Sequence, residues 1–290
     1  MAARAVTEQA AVTVAMLPML AALFHEVSVV SPIANAFAIP LVSLVVVPLD
    51  LAGAFLGVPL LLDLAHELMA LAMLPLEALA GWPGAMLEAP RPPPWAVGVA
   101  LAGSAWLLAP RGVPMRSCGA LLLAPLVALP GPRPPPGEAW IEVLDVGNGL
   151  ALVVRTARHA LAYDAGPSWS TESDSGARIV VPFLRGEGIG RLDALNRILI
   201  KELEVLELGS KIQSQVQSEV GHADDDHAGG AASVARLRHP RWLLTSVPED
   251  HRLRPDVDPA FRCEAGQSWR WDGVTFEVLH PPPRFFDDTR

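Results

Sequence analysis

The amino-acid sequence predicts an α-helical membrane bundle followed by an α/β domain. Residues 1–137 contain five arginines, no lysine and seven acidic residues, whereas residues 138–290 contain seventeen basic and twenty-four acidic residues. The formal net charge of −9 therefore divides into −2 and −7. A stiff Pro/Gly segment, residues 131–137, separates the two parts. A chain of 290 residues accommodates about two domains, and the nearly uncharged first part, residues 1–130, is assigned to a membrane.

Four or five apolar segments are candidate membrane spans, and they are 11–24, 41–56, 60–78, 95–108 and 119–129. A crossing requires about 20 mostly apolar residues. The last two segments are shorter, so we expect a closing hairpin that is tilted or partly re-entrant. Pro18, Pro48 and Pro59 are expected to interrupt the helices. The alternative is a large soluble helical core, but a soluble helix carries a charged face and these segments carry almost none.

Three acidic residues, Asp50, Asp63 and Glu67, lie within or beside the apolar segments. Carboxylates at membrane depth are costly, and they usually face a protein interior or a water-filled path. They therefore suit a channel wall. The alternative is that each lies near the headgroups at the end of a span.

The loop between the last two apolar segments carries Arg111 and Arg116. Cytoplasmic loops are enriched in Arg and Lys, so this loop is expected in the cytoplasm and residue 138 onward on the outer side. The first residues lead into Glu8 without the pattern of a signal peptide. Because the chain opens inside an apolar bundle, we expect more membrane protein to precede Met1.

The segment 222–230, His-Ala-Asp-Asp-Asp-His-Ala-Gly-Gly, is the densest cluster of potential metal ligands. Imidazole nitrogen and carboxylate oxygen together suit Zn or Mn, and an open coordination position lowers the pKa of bound water. The alternative is an acidic solvent loop, or a helix N-terminus with Asp as its cap.

Short strands separated by glycine turns are predicted before this segment, at 139–146, 150–156 and 159–163. A helix is expected to begin within 175–185, and another to occupy 228–237. Asp145 and Asp164 end two of the strands, where a carboxylate can orient metal ligands through hydrogen bonds. The alternative is an Asp that caps its own turn.

Several stretches resemble ComEC, the family of bacterial DNA-uptake channel proteins. Residues 9–14, Gln-Ala-Ala-Val-Thr-Val, and 27–40, Val-Ser-Val-Val-Ser-Pro-Ile-Ala-Asn-Ala-Phe-Ala-Ile-Pro, resemble the end of its competence membrane domain. Residues 144–150, Leu-Asp-Val-Gly-Asn-Gly-Leu, resemble the first motif of its metallo-β-lactamase-like domain. Residues 222–230 resemble its Ser-His-x-Asp-x-Asp-His-x-Gly-Gly signature, and 269–281 a later strand pair.

The resemblance implies an αββα metallo-β-lactamase-like domain over residues 138–290, incomplete at its C-terminus, attached to a membrane channel. It places metal ligands at His222, Asp224, Asp226 and His227, with Asp226 as a ligand or water-orienting base. Asp224 stands where most metallo-β-lactamases have His, and its oxygen favours Mn over Zn. Gly221 and Asn148 depart from the family, which usually has Ser and Gln there.

The resemblance also implies the partners and the location. One DNA strand would pass through the channel, and the other would be degraded at the metal domain. Membrane lipid and other DNA-uptake proteins are the remaining expected partners. The expected location is the bacterial inner membrane, spanned several times, with the metal domain on the outer face.

One block, residues 196–220, departs from the family, whose members pass through a very short apolar strand to the metal loop. It contains both lysines of the chain, Lys201 and Lys211, and three of its five glutamines. Its residues 202–219 resemble a helical stretch of the N-terminal domain of the protease Lon, without any ATPase or protease residue of that family. We therefore expect a chimera in which the metal loop is re-tethered, and the alternative is a genuine family insertion.

The sequence ends at Arg290, where the family fold still has its second half, so the two-metal site is expected to be incomplete. His251 and His280 are candidate distal ligands, although a lone His is more often structural. A run of arginines could contact phosphates, or could be an ordinary solvated face: Arg236, Arg238, Arg241, Arg252 and Arg254. Two functions other than DNA uptake stay open, namely an inactive chimeric membrane fragment and a membrane-tethered hydrolase of lactams or lactones.

Overall fold

A computed structural model describes residues 2–110, 112–170, 173–197, 229–246, 255–279 and 282. The chain divides into two units, Met1–Gly131 and Pro132–Arg290. The division falls at the Pro/Gly segment, whose composition favours a stiff and extended backbone.

The first unit consists of helices and one small β-ribbon. Its elements, in order, are α1 Ala2–Phe24, β1 Glu26–Ser28, α2 Ser31–Leu41, a π-helical turn Val42–Val46, α3 Val47–Leu56, α4 Pro59–Ala80, β2 Met86–Glu88, α5 Pro94–Leu107, a 3-10 helix Arg116–Leu123 and α6 Pro125–Ala128. The strands β1 and β2 pair antiparallel. All five predicted apolar segments lie in helices, although α1 begins earlier than predicted and the last segment is largely 3-10.

The prolines act differently from one another. Pro59 occupies the first turn of α4, directly after Gly57 ends α3 in the left-handed conformation with φ of +66°. A backbone N–H in the first turn of a helix has no partner within that helix, so a proline, which lacks the N–H, loses no hydrogen bond there. The predicted break between α3 and α4 is therefore present. The predicted interruption at Pro18 is wrong, because Pro18 lies inside α1. The predicted break at Pro48 is also wrong. The helical path continues there because the wider π-helical turn Val42–Val46 precedes it and relieves the clash of the proline ring with the backbone of the preceding turn.

Two helical segments are long and apolar enough to cross a membrane, Ser31–Leu56 and Pro59–Ala80. Only 11% of the most apolar 18-residue stretch in each segment is buried, whereas the core helix of a soluble protein is mostly buried. Three further apolar helices are shorter, so a complete bundle of four or five spans stays a prediction. The carboxylates of Asp50, Asp63 and Glu67 are exposed on α3 and α4.

The second unit is a mixed β-sheet with helices. Its elements are β3 Trp140–Val143, β4 Leu152–Arg155, β5 Ala160–Tyr163, β6 Ser168–Ser170, β7 Ser173–Asp174, a π-helical turn Gly176–Val180, α7 Val181–Gly186, β8 Ala194–Arg197, α8 Ala231–Arg238, β9 Trp242–Thr245, β10 Ala260–Arg262, β11 Ser268–Trp271 and β12 Val274–Glu277. The main sheet has six strands in the order β10-β9-β8-β5-β4-β3. The helices of the first unit and the mixed sheet of the second confirm one part of the predicted fold class, namely a helical region followed by a domain with a mixed sheet.

The main hydrophobic core of the unit packs the sheet against α7 and α8, and a smaller buried cluster forms around Leu244 of β9. Strand β4 runs antiparallel to β3 and β5, whereas β5, β8, β9 and β10 are parallel to one another. Leu195 and Leu243 project from adjacent central strands and are fully buried with Leu184 of α7 and Val234 of α8. Nearly continuous apolar runs in the central strands are typical of parallel strands with both faces covered.

A buried arginine fixes the N-terminal edge of the unit. The guanidinium of Arg155, which is 3% exposed, donates to Glu187 Oε2 at 2.7 Å and also pairs with Glu142. A third donation, at 3.2 Å, reaches the carbonyl oxygen of Pro132. Because the guanidinium fork satisfies two carboxylates and a carbonyl at once, it ties the start of the unit to the sheet.

The β11–β12 hairpin is attached to the sheet through its turn residue, Asp272, whose φ is +49°. Asp272 Oδ2 accepts hydrogen bonds from Thr156 Oγ1 at 2.6 Å and from the backbone N–H of Arg158 at 2.7 Å, and it lies 3.0 Å from His159 Nδ1. The Thr156 bond and these neighbours lower the pKa of Asp272 to about 2. Trp271 stacks on His159 with ring centroids 5.0 Å apart.

Candidate functional site

The candidate site lies at the edge of the sheet where β3, β5 and β8 end. These three strands point the same way because β4 runs antiparallel to both β3 and β5, and β8 is parallel to β5. Asp145 follows β3, Asp164 follows β5, and the segment that contains the predicted metal ligands follows β8. Crevices at the carboxyl ends of strands are common ligand sites in open α/β sheets.

Asp145 is exposed and shapes its own turn. Its Oδ1 accepts the backbone N–H of Gly147 at 3.2 Å, and Gly147 has a φ of +75°. This bond is the turn-capping role that the sequence left open for Asp145. Its role in orienting metal ligands stays a prediction.

Asp164 is buried at 5% exposure and has a left-handed backbone, with φ of +60°. Its Oδ1 accepts the N–H of Ala165 at 2.8 Å, and its own N–H donates to the carbonyl oxygen of Asn196 in β8 at 2.9 Å. Few residues other than glycine adopt this conformation, and such positions concentrate at functional sites. Burial, and then the Asp164 carboxylate, raise the pKa of the neighbouring Tyr163 phenol, which therefore stays protonated.

Two consecutive glycines join the end of the predicted metal segment to the loop after β5. The N–H of Gly230 donates to the carbonyl oxygen of Gly166 at 3.1 Å. A Cβ atom at Gly230 would clash with the carbonyl oxygen of Ala165, and one at Gly229 would clash with the backbone of Ser168. The backbones approach too closely for any side chain, so the Gly-Gly pair of the motif has a steric cause.

Serine and aspartate side chains complete this junction. Ser175 is fully buried, and its Oγ lies 2.5 Å from the carbonyl oxygen of Ala165 and 2.8 Å from that of Pro167, so that the single hydroxyl proton is shared between the two acceptors. Asp174 accepts the N–H of Ala177 at 2.8 Å and the hydroxyl of Ser233, on α8, at 2.6 Å. The loop after β5, the turn before α7 and the first turn of α8 are therefore held together at one place.

The sequence did not single out Ser175, Asp174 or Ser233. The signal available was Ser173-Asp-Ser-Gly, a helix-start pattern in which Asp caps free N–H groups. The second bond of Asp174, to a residue 59 positions away, has no local signal.

The four predicted metal ligands, His222, Asp224, Asp226 and His227, lie outside the described residues, as do His251, Arg252, Arg254 and His280. Within the part of the chain that the structure describes, no group of three His, Cys, Asp or Glu side chains is arranged to hold a metal ion. The predicted metal site and its choice of Zn or Mn therefore stay predictions.

Of the described members of the arginine run, Arg236 and Arg241 are exposed and Arg238 is buried. Arg238 is 2% exposed, and its guanidinium donates to the carbonyl oxygens of Gly190 and Val181, both at 3.4 Å. Arg241 is exposed and lies 3.3 Å from the carboxylate of Asp193. The phosphate-contact interpretation is therefore wrong for Arg238, whose role is structural.

Comparisons with known proteins find relatives along most of the chain. Residues 1–114 match the family model described as competence protein. The chain is 32% identical to competence protein ComA of Neisseria gonorrhoeae over 280 residues, which are 97% of this chain and 35% of that relative. These matches support a competence-family protein. No solved structure matches the chain.

Two further relatives resemble this chain. Uncharacterized protein YcaI of Escherichia coli K12 is 30% identical over 284 residues, which are 94% of this chain and 32% of the relative. Recombination protein 2 of Haemophilus influenzae is 29% identical over 143 residues, which are 49% of this chain and 14% of the relative. The chain thus spans about a third of the length of the first two relatives it matches.

Proposed function

We propose that this chain belongs to a ComEC-like machine for DNA uptake during natural transformation. The observation that carries the proposal is the competence-family match over residues 1–114 together with the ComA alignment along 97% of the chain. In this proposal the first unit is part of a multi-pass channel in the bacterial inner membrane, and the second unit is a metallo-β-lactamase-like domain on the outer face. Its partners are DNA, membrane lipid and other DNA-uptake proteins.

The donor set of the predicted site fits a divalent metal, because two imidazoles and two carboxylates offer the mixed nitrogen and oxygen ligands that Mn and Zn accept. His222, Asp224, Asp226 and His227 would hold the ion. When bound, it would supply Lewis-acid activation for hydrolysis of a phosphodiester. Asp226 would orient the attacking water as a base if it is not itself a ligand. Gly229 and Gly230 support this assignment, since they hold the end of the segment against the loop that carries Asp164.

A second candidate is a chimeric membrane protein without catalytic activity, and one structural observation favours it. Asn196, the first residue of the Lon-like block, is 7% exposed in the central strand β8, and its Oδ1 has no hydrogen-bond partner among the residues that the structure describes. A family strand is apolar here, whereas a buried amide oxygen without a donor costs about 1–3 kcal/mol. The block therefore begins with a residue that the sheet does not favour, and a displaced metal segment would lose activity.

The test uses the full chain purified in detergent. Its degradation of end-labelled double-stranded DNA is measured with Mn²⁺, with Zn²⁺ and with excess EDTA, alongside metal content by mass spectrometry. The variants are Asp226→Asn and His222→Ala, and the matched control is Asp225→Asn, which changes a neighbouring carboxylate outside the predicted ligand set. Under the nuclease proposal, cleavage requires metal, is lost in the first two variants and is retained in the control.

Uncut DNA with all metals, together with metal contents equal to those of His222→Ala, would favour the inactive candidate. Long-read sequencing of the source locus across codons 190–225 then identifies the cause. If the codons for 196–220 are absent from intact DNA, the protein without them is the one to assay. If they are present, the fusion is genuine and the loss of activity belongs to the natural protein.

A further inference from the structure

An exposed tryptophan and an arginine stand beside the Gly229–Gly230 junction. Trp169, in β6, is 50% exposed, and the guanidinium carbon of Arg178 lies 6.0 Å from the centre of its ring. Arg178 is itself exposed, on the π-helical turn that begins at Gly176. Indole and guanidinium therefore form a cation–π pair on the surface of the second unit, with half of the tryptophan still open to solvent.

Both halves of this pair are fixed to the candidate site by their backbones. The backbone of Ser168, next to Trp169, leaves no room for a side chain on Gly229, and Gly176 is in similar contact with Gly230. In sequence, Gly229 follows the predicted ligand His227 by two residues. Trp169 and Arg178 thus lie at the edge of the sheet where the predicted nuclease site begins.

The chemistry of the pair matches single-stranded nucleic acid. An indole face stacks on any of the bases, and an arginine that lies against the ring offers N–H donors to a phosphate. The hairpin around Trp169 is polar, with exposed Ser168 and Ser170 linked by a hydrogen bond of 2.9 Å between the Ser168 hydroxyl and the Ser170 carbonyl. A surface that inserts into lipid would instead carry several apolar side chains with clustered basic residues.

We propose that Trp169 and Arg178 form a nucleotide-stacking platform, on which a base of single-stranded DNA lies against the open face of the indole and Arg178 contacts the adjacent phosphate. The location of this platform as a substrate subsite rests on the proposed nuclease function. The stacking itself requires no metal, so it can be measured separately from cleavage.

The experiment measures binding of the full chain in nanodiscs by fluorescence anisotropy, in EDTA. The probes are a labelled oligothymidylate of 20 nucleotides and an abasic strand of the same length, which has the phosphates without the bases. The variants are Trp169→Ala, Trp169→Phe and Arg178→Gln. The matched control is Trp82→Ala, which removes another exposed tryptophan, in the first unit.

We expect the wild-type chain to prefer oligothymidylate over the abasic strand. Trp169→Ala should weaken oligothymidylate binding about tenfold and remove that preference, because base–aromatic stacking contributes about 1–3 kcal/mol per base. Trp169→Phe should retain most of the affinity, and Trp82→Ala all of it. Arg178→Gln should weaken both probes and lower the slope of log affinity against log salt by about one unit.

Equal affinities of the wild type and Trp169→Ala for oligothymidylate, or no binding by the wild type, would overturn the platform. Quenching of Trp169 emission by brominated lipid, with oligonucleotide affinity unchanged in Trp169→Ala, would overturn it in favour of a membrane contact. If cleavage requires metal but DNA binding does not depend on Trp169, the platform is rejected and the nuclease proposal is retained. If DNA binding depends on Trp169 but no DNA is cleaved with any metal, the platform is supported and the nuclease proposal is rejected.

Discussion

Replacing Asn196 with valine is expected to stabilise the second unit. Asn196 pairs with Tyr163 on one side and Leu244 on the other, in the middle of the six-stranded sheet. It is 7% exposed, and within the described part of the chain its Oδ1 accepts no hydrogen bond. Valine removes the polar atom, retains a side chain of similar size and favours the extended backbone of a buried strand.

The expected gain is about 1–3 kcal/mol, which is the cost of a buried polar atom left without a partner. This figure applies because the backbone groups of Asn196 are unaffected by the change, and its carbonyl oxygen continues to accept the N–H of Asp164. Since about 1.4 kcal/mol corresponds to a tenfold change in an equilibrium, the population of the opened sheet should fall about 5- to 150-fold.

Cys263 is a natural probe of this opening. Its side chain is 0% exposed and packs with Leu244, the neighbour of Asn196. Burial, and then Glu264, raise the pKa of the Cys263 thiol to about 12, so the folded unit resists alkylation at neutral pH. In a Cys118→Ser background, the labelling rate of Cys263 therefore reports the free energy of opening.

We expect labelling to slow in Asn196→Val and to accelerate in the control Asn196→Asp, which keeps the shape but buries a charge. Equal rates in urea verify that the intrinsic reactivity of Cys263 is unchanged. Unchanged or faster labelling of Asn196→Val under native conditions would refute the reasoning, because it would mean that the buried amide oxygen carries no cost.

Three other changes test the same unit. Gly230→Ala places a Cβ against the carbonyl oxygen of Ala165 and should lower the stability of the unit by about 1–3 kcal/mol. This loss would be measured as faster labelling of Cys263, and a labelling rate equal to that of wild type would disprove the close approach. Arg155→Met removes the guanidinium that donates to the buried Glu187 carboxylate, and it should cost about 3–5 kcal/mol in urea unfolding. Adding Glu187→Leu removes the buried charge as well and should recover part of this loss; no recovery would contradict the charge argument. Asp272 has a folded pKa below its unfolded value, so its stabilisation is complete above pH of about 4 and is lost as the pH falls toward 2. Asp272→Asn should flatten that part of an acid titration followed by tryptophan fluorescence, and a titration identical to that of wild type would count against it.

The parts of the fold that could be predicted are those with local signals. Pro59 marks the start of α4 and Gly57 the end of α3, because each residue type suits the backbone at its position. The π-helical turn before Pro48 was not predicted, since a helix can either break or widen at proline and the sequence does not distinguish the two outcomes.

The candidate site was only partly predictable for the same reason. Asp145 and Asp164 could be assigned to strand ends, but the left-handed backbone of Asp164 and its hydrogen bond to Asn196 in another strand have no local signal in the sequence. The close approach of Gly230 to Ala165 joins positions 65 residues apart. Such contacts are set by the whole topology, so the Gly-Gly pair is visible in the sequence while its steric cause is not.

Strand β8 shows where sequence and fold disagree. Ala194 and Leu195 are fully buried and fit a central parallel strand, as expected for an apolar run that is covered on both faces. The next residue, Asn196, is also buried but is polar and only partly satisfied. Natural sequences are locally consistent with their folds, and conflicts concentrate at functional or strained sites. The conflict begins at the first residue of the block whose composition departs from the rest of the chain. If Asn196→Val stabilises the unit without lowering DNA binding or cleavage, the asparagine serves no function there.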